Sequence, residues 1–237
     1  MSLPKINTPE YKLVIPSTDE EITYRPFLVK EEKLLLIAQE TGDEKAQYGA
    51  IQNLIKSCVI EELAVDKLPV FDIEYIFLNI RAKSVGEIAN LTIICPDDEK
   101  TTVKVEVDLT KINIEMDEKH NARIELTDTI GVLMSYPTMD LIQEHAILDT
   151  GKATSQLFKM VAECMYQIWE GEEVHDAQDY KWEEKMTFLE SLTHDQFGKI
   201  QEFFETMPRL QHDVTVTNPK TKVVSTVTLR GIQSFFE

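Results

Sequence analysis

Cysteine and histidine are the usual side-chain ligands of zinc, and the sequence spreads its three cysteines and five histidines widely. Zinc usually takes four such ligands, arranged as two close pairs. Cys95 lies at one predicted hairpin turn, but Asn218 occupies the corresponding position of another. No histidine has a second histidine four residues further on, as the helix of a zinc protease requires. The spacing therefore predicts no metal site.

Nucleotide-binding and acyl-transfer enzymes would need glycine motifs that the sequence lacks. Neither Gly-x-Gly-x-x-Gly, nor a Walker loop, nor Gly-x-Ser-x-Gly occurs among its eight glycines. With 42 acidic residues, close carboxylate pairs are expected by chance, so none is singled out as catalytic. The sequence predicts a protein that is not an enzyme and that needs no cofactor.

Charge and length narrow the class of protein further. The 237 residues carry 24 basic and 42 acidic side chains, a formal net charge of −18. A surface that binds nucleic-acid phosphates needs clustered Lys and Arg, so we expect no nucleic-acid partner. No apolar run approaches the roughly 18 residues that cross a bilayer, so we expect no membrane partner.

The elements that position these residues follow from the periodicity of apolar residues. Three pairs of extended segments flank polar turns and predict β-hairpins, over residues 11–15 with 21–26, 87–95 with 101–109, and 212–217 with 222–229. Apolar spacings of three and four predict amphipathic helices, over residues 30–41, 43–58, 69–83, 137–148, 153–169, 182–192 and 193–208. In the first helix the apolar stripe is Leu34, Leu35, Ile37 and Ala38. The acidic residues 170–180 predict a linker.

These elements predict an α+β fold in which several β-hairpins pack with amphipathic helices, without a parallel doubly wound sheet. We expect residues 1–150 to form a hairpin, helix and hairpin region. Residues 151–237 would form a helical region that ends in the C-terminal hairpin, unless both regions are one continuous domain. The second and third hairpins share an early turn proline, Pro96 or Pro219, and an alternating return strand. Either hairpin sequences converge on this pattern, or the hairpin is duplicated.

The C-terminal hairpin and the tail after it are the predicted partner-binding site. The return strand is rich in β-branched residues and could pair with another sheet, and Val227 and Leu229 belong to it. Phe235 and Phe236 follow, with Glu237 beyond them. Adjacent residues point in different directions, so one domain face cannot easily bury both aromatic rings. We expect one ring to dock on the domain itself and the other to anchor a partner.

Several segments along nearly the whole chain resemble the baseplate hub subunit family of T4-type contractile-tailed bacteriophages. They are residues 3–9 (LPKINTP), 24–33 (YRPFLVKEEK), 67–75 (KLPVFDIEY), 81–87 (RAKSVGE), 126–131 (LTDTIG), 136–138 (YPT), 229–232 (LRGI) and the pair Phe235-Phe236. The resemblance is specific to a structural or assembly protein, and its motifs carry no catalytic residues.

The resemblance implies a noncatalytic hub subunit or hub-assembly factor that binds other baseplate and hub proteins during tail morphogenesis. It implies assembly in the cytoplasm of the infected bacterial host, and it leaves open whether the chain stays in the virion baseplate. The alternative is an acidic host-directed binding protein made during infection. Such a protein would bind a basic host factor and would lose it at raised salt.

Overall fold

The computed structural model describes residues 7–146 and 153–235. These residues form seven α-helices: α1 (Val29–Thr41), α2 (Glu44–Cys58), α3 (Val70–Ser84), α4 (Met139–Ala146), α5 (Ala153–Cys164), α6 (Trp182–Glu190) and α7 (His194–Thr206). They also form eleven strands: β1 (Tyr11–Val14), β2 (Glu21–Tyr24), β3 (Ile88–Ile94), β4 (Thr102–Asp108), β5 (Ile114–Glu115), β6 (Arg123–Glu125), β7 (Ile130–Met134), β8 (Met165–Glu170), β9 (Glu173–Asp176), β10 (Arg209–Thr217) and β11 (Val224–Arg230).

All pairings between these strands are antiparallel, in small sheets of two to four strands. The predicted α+β class is therefore confirmed, and the described part of the chain has no parallel doubly wound sheet. Within that part, no helix is long and apolar enough to cross a membrane.

Contacts divide the chain into two compact units. Unit 1 comprises the described residues of Met1–Glu115 and Arg209–Glu237, and unit 2 comprises those of Met116–Pro208. The C-terminal hairpin thus belongs with the N-terminal half of the chain. The predicted boundary near residue 150 lies within the sequence range of unit 2, and it stays a prediction.

The core of unit 1 lies where α3 meets the inner faces of the hairpins β3–β4 and β10–β11. Every second residue of β3 is buried, as expected for a strand with one face in the core and the other exposed to solvent. Most of α3 is buried too, which explains why its sequence is apolar on more than one side. The buried cluster comprises Leu78, Ala82, Ala89, Leu91, Ile93, Val107, Leu109, Ile112, Leu210, Val214, Val216 and Leu229.

Three hairpins of unit 1 share one kind of turn, in which the residue before a proline accepts a hydrogen bond from the amide four residues on. The bonds are Asp19 N–H to Ile15 O at 2.9 Å, Glu99 N–H to Cys95 O at 3.0 Å, and Lys222 N–H to Asn218 O at 2.9 Å. Each donor residue is left-handed, with φ between 54° and 65°. The likeness of the second and third hairpins extends to the first, which favours turn chemistry over duplication as its cause.

Unit 2 contains the sheet β6-β7-β8-β9 together with α5, α6 and α7. The helix predicted over residues 153–169 is wrong in its last five residues, because α5 ends at Cys164 and β8 begins at Met165. The predicted acidic linker is wrong in part, since Glu173–Asp176 forms β9. Strand β8 pairs with β7 on one side and β9 on the other. The backbone groups of β8 are hydrogen-bonded to both neighbouring strands, and this pairing outweighs the helical spacing of the apolar residues.

Candidate partner-binding surface

The predicted partner-binding residues of β11 lie on the inner face of the strand. Leu229 is buried in the core of unit 1, and Val227 is partly buried against the same core. Opposite them in the register lie His212 and Val214 of β10. Phe235 ends the 3-10 turn Ile232–Phe235, and Phe236 lies outside the described residues. The structure therefore brings Val227 and Leu229 together, on the side that packs against the domain.

The outer face and the free edge of β11 are accessible to a partner. Val224, Thr226 and Thr228 alternate with the inward residues and are exposed. In the three-stranded sheet β11 pairs with β10 alone among the described strands, so its other edge carries unpaired backbone groups. Such an edge is a template for one more strand.

The tip of the C-terminal hairpin is held by the turn of the hairpin β3–β4. The Asn218 side-chain amide donates to both carboxylate oxygens of Asp97 at 3.0 Å, and the Thr221 hydroxyl donates to Asp97 at 2.5 Å. Asn218 also accepts the backbone N–H groups of Lys220 and Thr221 through its Oδ1. The bonds from Thr221 and Asn218 lower the pKa of Asp97. The contact between these two turns fixes the hairpin through a carboxylate and an amide.

Cys95, at the position that corresponds to Asn218, is buried beside this contact. Burial, and then the negative charges of Asp97 and Asp98, raise the pKa of its thiol. The thiol is therefore held in the protonated form, whereas a metal ligand or nucleophile is a thiolate. Within residues 7–146 and 153–235, no group of three His, Cys, Asp or Glu side chains could hold a metal ion.

The base of the C-terminal hairpin is fixed to α3 by Glu74. The Ile232 backbone N–H donates to Glu74 Oε1 at 3.2 Å, and Ile232 itself is buried. Gly231 has φ +67°, and a Cβ there would lie 3.1 Å from Glu74 Oε1. Burial raises the pKa of Glu74 to about 7, partly offset by the Ile232 hydrogen bond. The start of the C-terminal tail is thus tied to the domain, as a docked chain end requires.

Helix α1 presents an apolar surface that the sequence interpretation missed. Val29, Leu34, Leu36 and Ile37 are 78%, 58%, 54% and 48% exposed, although Leu34 and Ile37 belong to the stripe predicted as buried. Of that stripe only Ala38 is buried. The sequence signal for this surface is the run of four consecutive apolar residues, 34–37. Successive residues of a helix are rotated by 100°, so four consecutive apolar residues cannot all lie on one face.

The inner side of α1 carries a charged residue, Glu31, beside Ala38. Glu31 is buried and accepts from Arg25 Nη2 at 2.9 Å and from the Leu28 backbone N–H at 2.8 Å. These bonds lower the pKa of Glu31, against the opposing effect of its burial, which is the largest influence on it. The Glu31 carboxylate therefore caps the start of α1, because it accepts the backbone N–H of the N-cap residue Leu28.

Comparison with known proteins identifies the family. Searches of the curated proteins and of the solved structures gave no match. The family model described as "T4 bacteriophage base plate protein" matches residues 8–237, which is nearly the whole sequence. The chain therefore belongs to the T4 bacteriophage base plate protein family.

Proposed function

We propose that this chain is a noncatalytic subunit or assembly factor of the baseplate hub, and that it acts by binding other tail proteins during tail morphogenesis. Membership of the base plate protein family supports a role in the tail. The exposed apolar face of α1 carries the proposal, because large exposed apolar patches are typical of surfaces that bind another protein. The binding takes place in the cytoplasm of the infected bacterium, and it persists in the virion baseplate if the chain stays there.

Charged residues of both signs lie beside the apolar residues of α1. Lys33 and Glu40, seven residues apart, lie on the same side of the helix as Val29 and Leu36, and both are exposed. The apolar side chains, rather than a single sign of charge, therefore supply the contact with a partner.

The C-terminal hairpin contributes a second part of the binding surface. The free edge of β11, with Val224 and Thr226 beside it, accepts an added strand by backbone hydrogen bonding. Val227 and Leu229 hold that strand from the core side, and we assign Phe235 and Phe236 the role of aromatic anchors. A central aromatic anchor is typical of the residues that dominate the affinity of an interface.

The proposal is tested by affinity capture of the tagged chain from infected cells, followed by quantitative mass spectrometry. We expect other baseplate and hub proteins to be enriched. Leu36→Asp should reduce their recovery at least tenfold, because it places a charge within the apolar face. Asn53→Asp is the matched control: it adds the same charge at an exposed position of another helix, α2, and recovery should stay unchanged.

Two results would contradict the proposal. Enrichment of host proteins without tail proteins would favour the host-directed alternative. Equal recovery with Leu36→Asp and Asn53→Asp would remove α1 from the binding surface. Truncation before Phe235 tests the tail separately, and it should lower recovery while the melting temperature stays within about 2 °C, the shift that corresponds to about 0.5–1 kcal/mol in a chain of this size.

A further inference from the structure

Strand β3 has a free edge in unit 1. Among the described strands it pairs with β4 alone. At the end of this ladder Cys95 N–H donates to Thr101 O, directly opposite, at 2.7 Å, so the backbone groups of odd-numbered residues of β3 face β4. In an antiparallel pair the residues between them point the other way. The residues whose backbone groups face away from β4 are Ile88, Asn90, Thr92 and Ile94.

This edge carries no charge and exposes two large apolar side chains. All four of its residues are exposed, Ile88 by 50% and Ile94 by 57%. Natural edge strands usually carry charged residues, which prevent pairing with another chain. Strand β4 does so, with Lys104 and Glu106 exposed, whereas β3 has no charged residue. The edge of β3 is therefore open to an added strand that is itself uncharged.

The order of residue types along this edge is the same from either end. If two β3 strands pair antiparallel about a two-fold axis at Leu91, Ile88 lies opposite Ile94 of the second copy. Asn90 then lies opposite Thr92 of the second copy, so apolar meets apolar and polar meets polar. Each of these directly opposite pairs exchanges two backbone hydrogen bonds. A shift of two residues in either direction places one isoleucine beside a polar residue and leaves the other outside the paired strand.

The free edge of β11 lacks this symmetry. Its outward residues run from Val224 at one end to Arg230 at the other, so pairing with itself along the whole strand would place an apolar residue beside a charge. Ser234 Oγ accepts the Arg230 N–H at 3.2 Å and donates to Arg230 O at 2.6 Å, which closes that end of the edge. Of these two edges, β3 is the one that fits a second copy of itself.

We propose that the chain forms a homodimer in which β3 pairs antiparallel with β3 of a second copy, about a two-fold axis at Leu91. Such an interface is isologous, and it closes after two copies instead of growing into a filament. It joins the two β3–β4 hairpins into one four-stranded sheet. The interface uses neither α1 nor β11, so the proposal does not depend on the tail-assembly function.

The test is sedimentation equilibrium of the full chain and of variants that place charges at the pairing positions. Asn90→Lys/Thr92→Lys should weaken dimerisation at least tenfold, because the introduced ammonium groups of the two copies lie opposite each other. Asn90→Lys/Thr92→Asp should keep the dimer, because the same register then places opposite charges together. Thr102→Lys, at an exposed position of β4, is the control and should dimerise as the wild type does.

Amide hydrogen exchange at low and high protein concentration locates the interface. The even-numbered amides of β3 should exchange at least tenfold more slowly at the high concentration, while those of Thr226 and Thr228 in β11 should not change. A wild-type chain that is still monomeric at about 1 mM overturns the proposal. So does a dimer that Asn90→Lys/Thr92→Lys leaves unchanged, or protection at β11 instead of β3. Because capture of tail proteins through α1 is measured separately, either proposal can fail alone.

Discussion

At the scale of single residues, Glu74 links the pH dependence of stability to the position of the C-terminal tail. Its pKa in the folded chain is about 7, above the ordinary value of 4.5. The stability that the protonated carboxyl contributes is fully present below the ordinary pKa, and it is lost as the pH rises through the folded pKa. Above pH 7 the folded chain must hold a partly buried anion next to Ile232.

Glu74→Gln should therefore stabilise the chain at pH 8 and change little at pH 5. The amide cannot ionise, and its oxygen can still accept the Ile232 N–H. We expect a gain of about 1–3 kcal/mol in the free energy of unfolding at pH 8, measured by urea denaturation. Asp72, whose pKa burial raises to about 6, titrates in both proteins and so cancels in the comparison. The same difference at both pH values would contradict this assignment.

Asn218 is the residue on which the contact between the two hairpin turns depends. Asn218→Ala removes the acceptor of two turn amides and a donor to Asp97, and it should cost about 1–3 kcal/mol, since the groups left behind lose their partners. Asn218→Asp keeps the shape but places a carboxylate beside Asp97. It should be more destabilising at pH 7 than at pH 3.5, where protonation removes the repulsion.

Urea denaturation at these two pH values measures both variants of Asn218. Thr226→Ala, at an exposed position of the same hairpin, is the control and should change stability little. A pH-independent effect of Asn218→Asp would show that the distance between the two carboxyl groups is larger than the structure gives.

At the scale of elements, the hairpins of unit 1 and most helices follow from the sequence, while β8 and the outer face of α1 do not. Alternation and turn prolines specify β3–β4 and β10–β11 locally. Met165 and Ile168 instead continue the helical spacing of α5, and only the neighbouring strands β7 and β9 make that segment extended.

Strand pairing in unit 2 requires glycine at position 131. A Cβ at Gly131 would lie 2.0 Å from Cζ2 of Trp169 and 2.5 Å from the Ile124 carbonyl oxygen. Gly131→Ala should therefore destabilise the chain by about 1–3 kcal/mol or more, because the backbone oxygen cannot move aside cheaply.

Gly198→Ala is the matched control for Gly131→Ala. Gly198 lies within α7, and a Cβ there would meet no atom within 4 Å. It should stabilise the chain by about 0.5–1 kcal/mol through helix propensity. Thermal melts of the two variants should shift in opposite directions, and a shift in the same direction would contradict this account of Gly131.

At the scale of the whole molecule, the sequence could not reveal that unit 1 is discontinuous. Glu115 and Arg209 are partners in the pairing of β5 with β10, so the chain leaves unit 1 and re-enters it at one place. Local periodicity carries no information about a pairing between such distant residues. The C-terminal hairpin is therefore a structural part of the N-terminal half as well as the predicted binding site.

Unit 1 should fold without unit 2 if residues 116–208 are replaced by a short Gly/Ser loop, because Glu115 and Arg209 are already adjacent. A fragment of residues 1–150 should not fold, since it lacks Leu210, Val214, Val216 and Leu229 of the core. Circular dichroism melts and proton–nitrogen NMR spectra distinguish the outcomes: a cooperative transition with dispersed peaks for the first chain, and neither for the second. A folded fragment 1–150 would support the boundary predicted from the sequence and would show that β10 and β11 add to a core that is already complete.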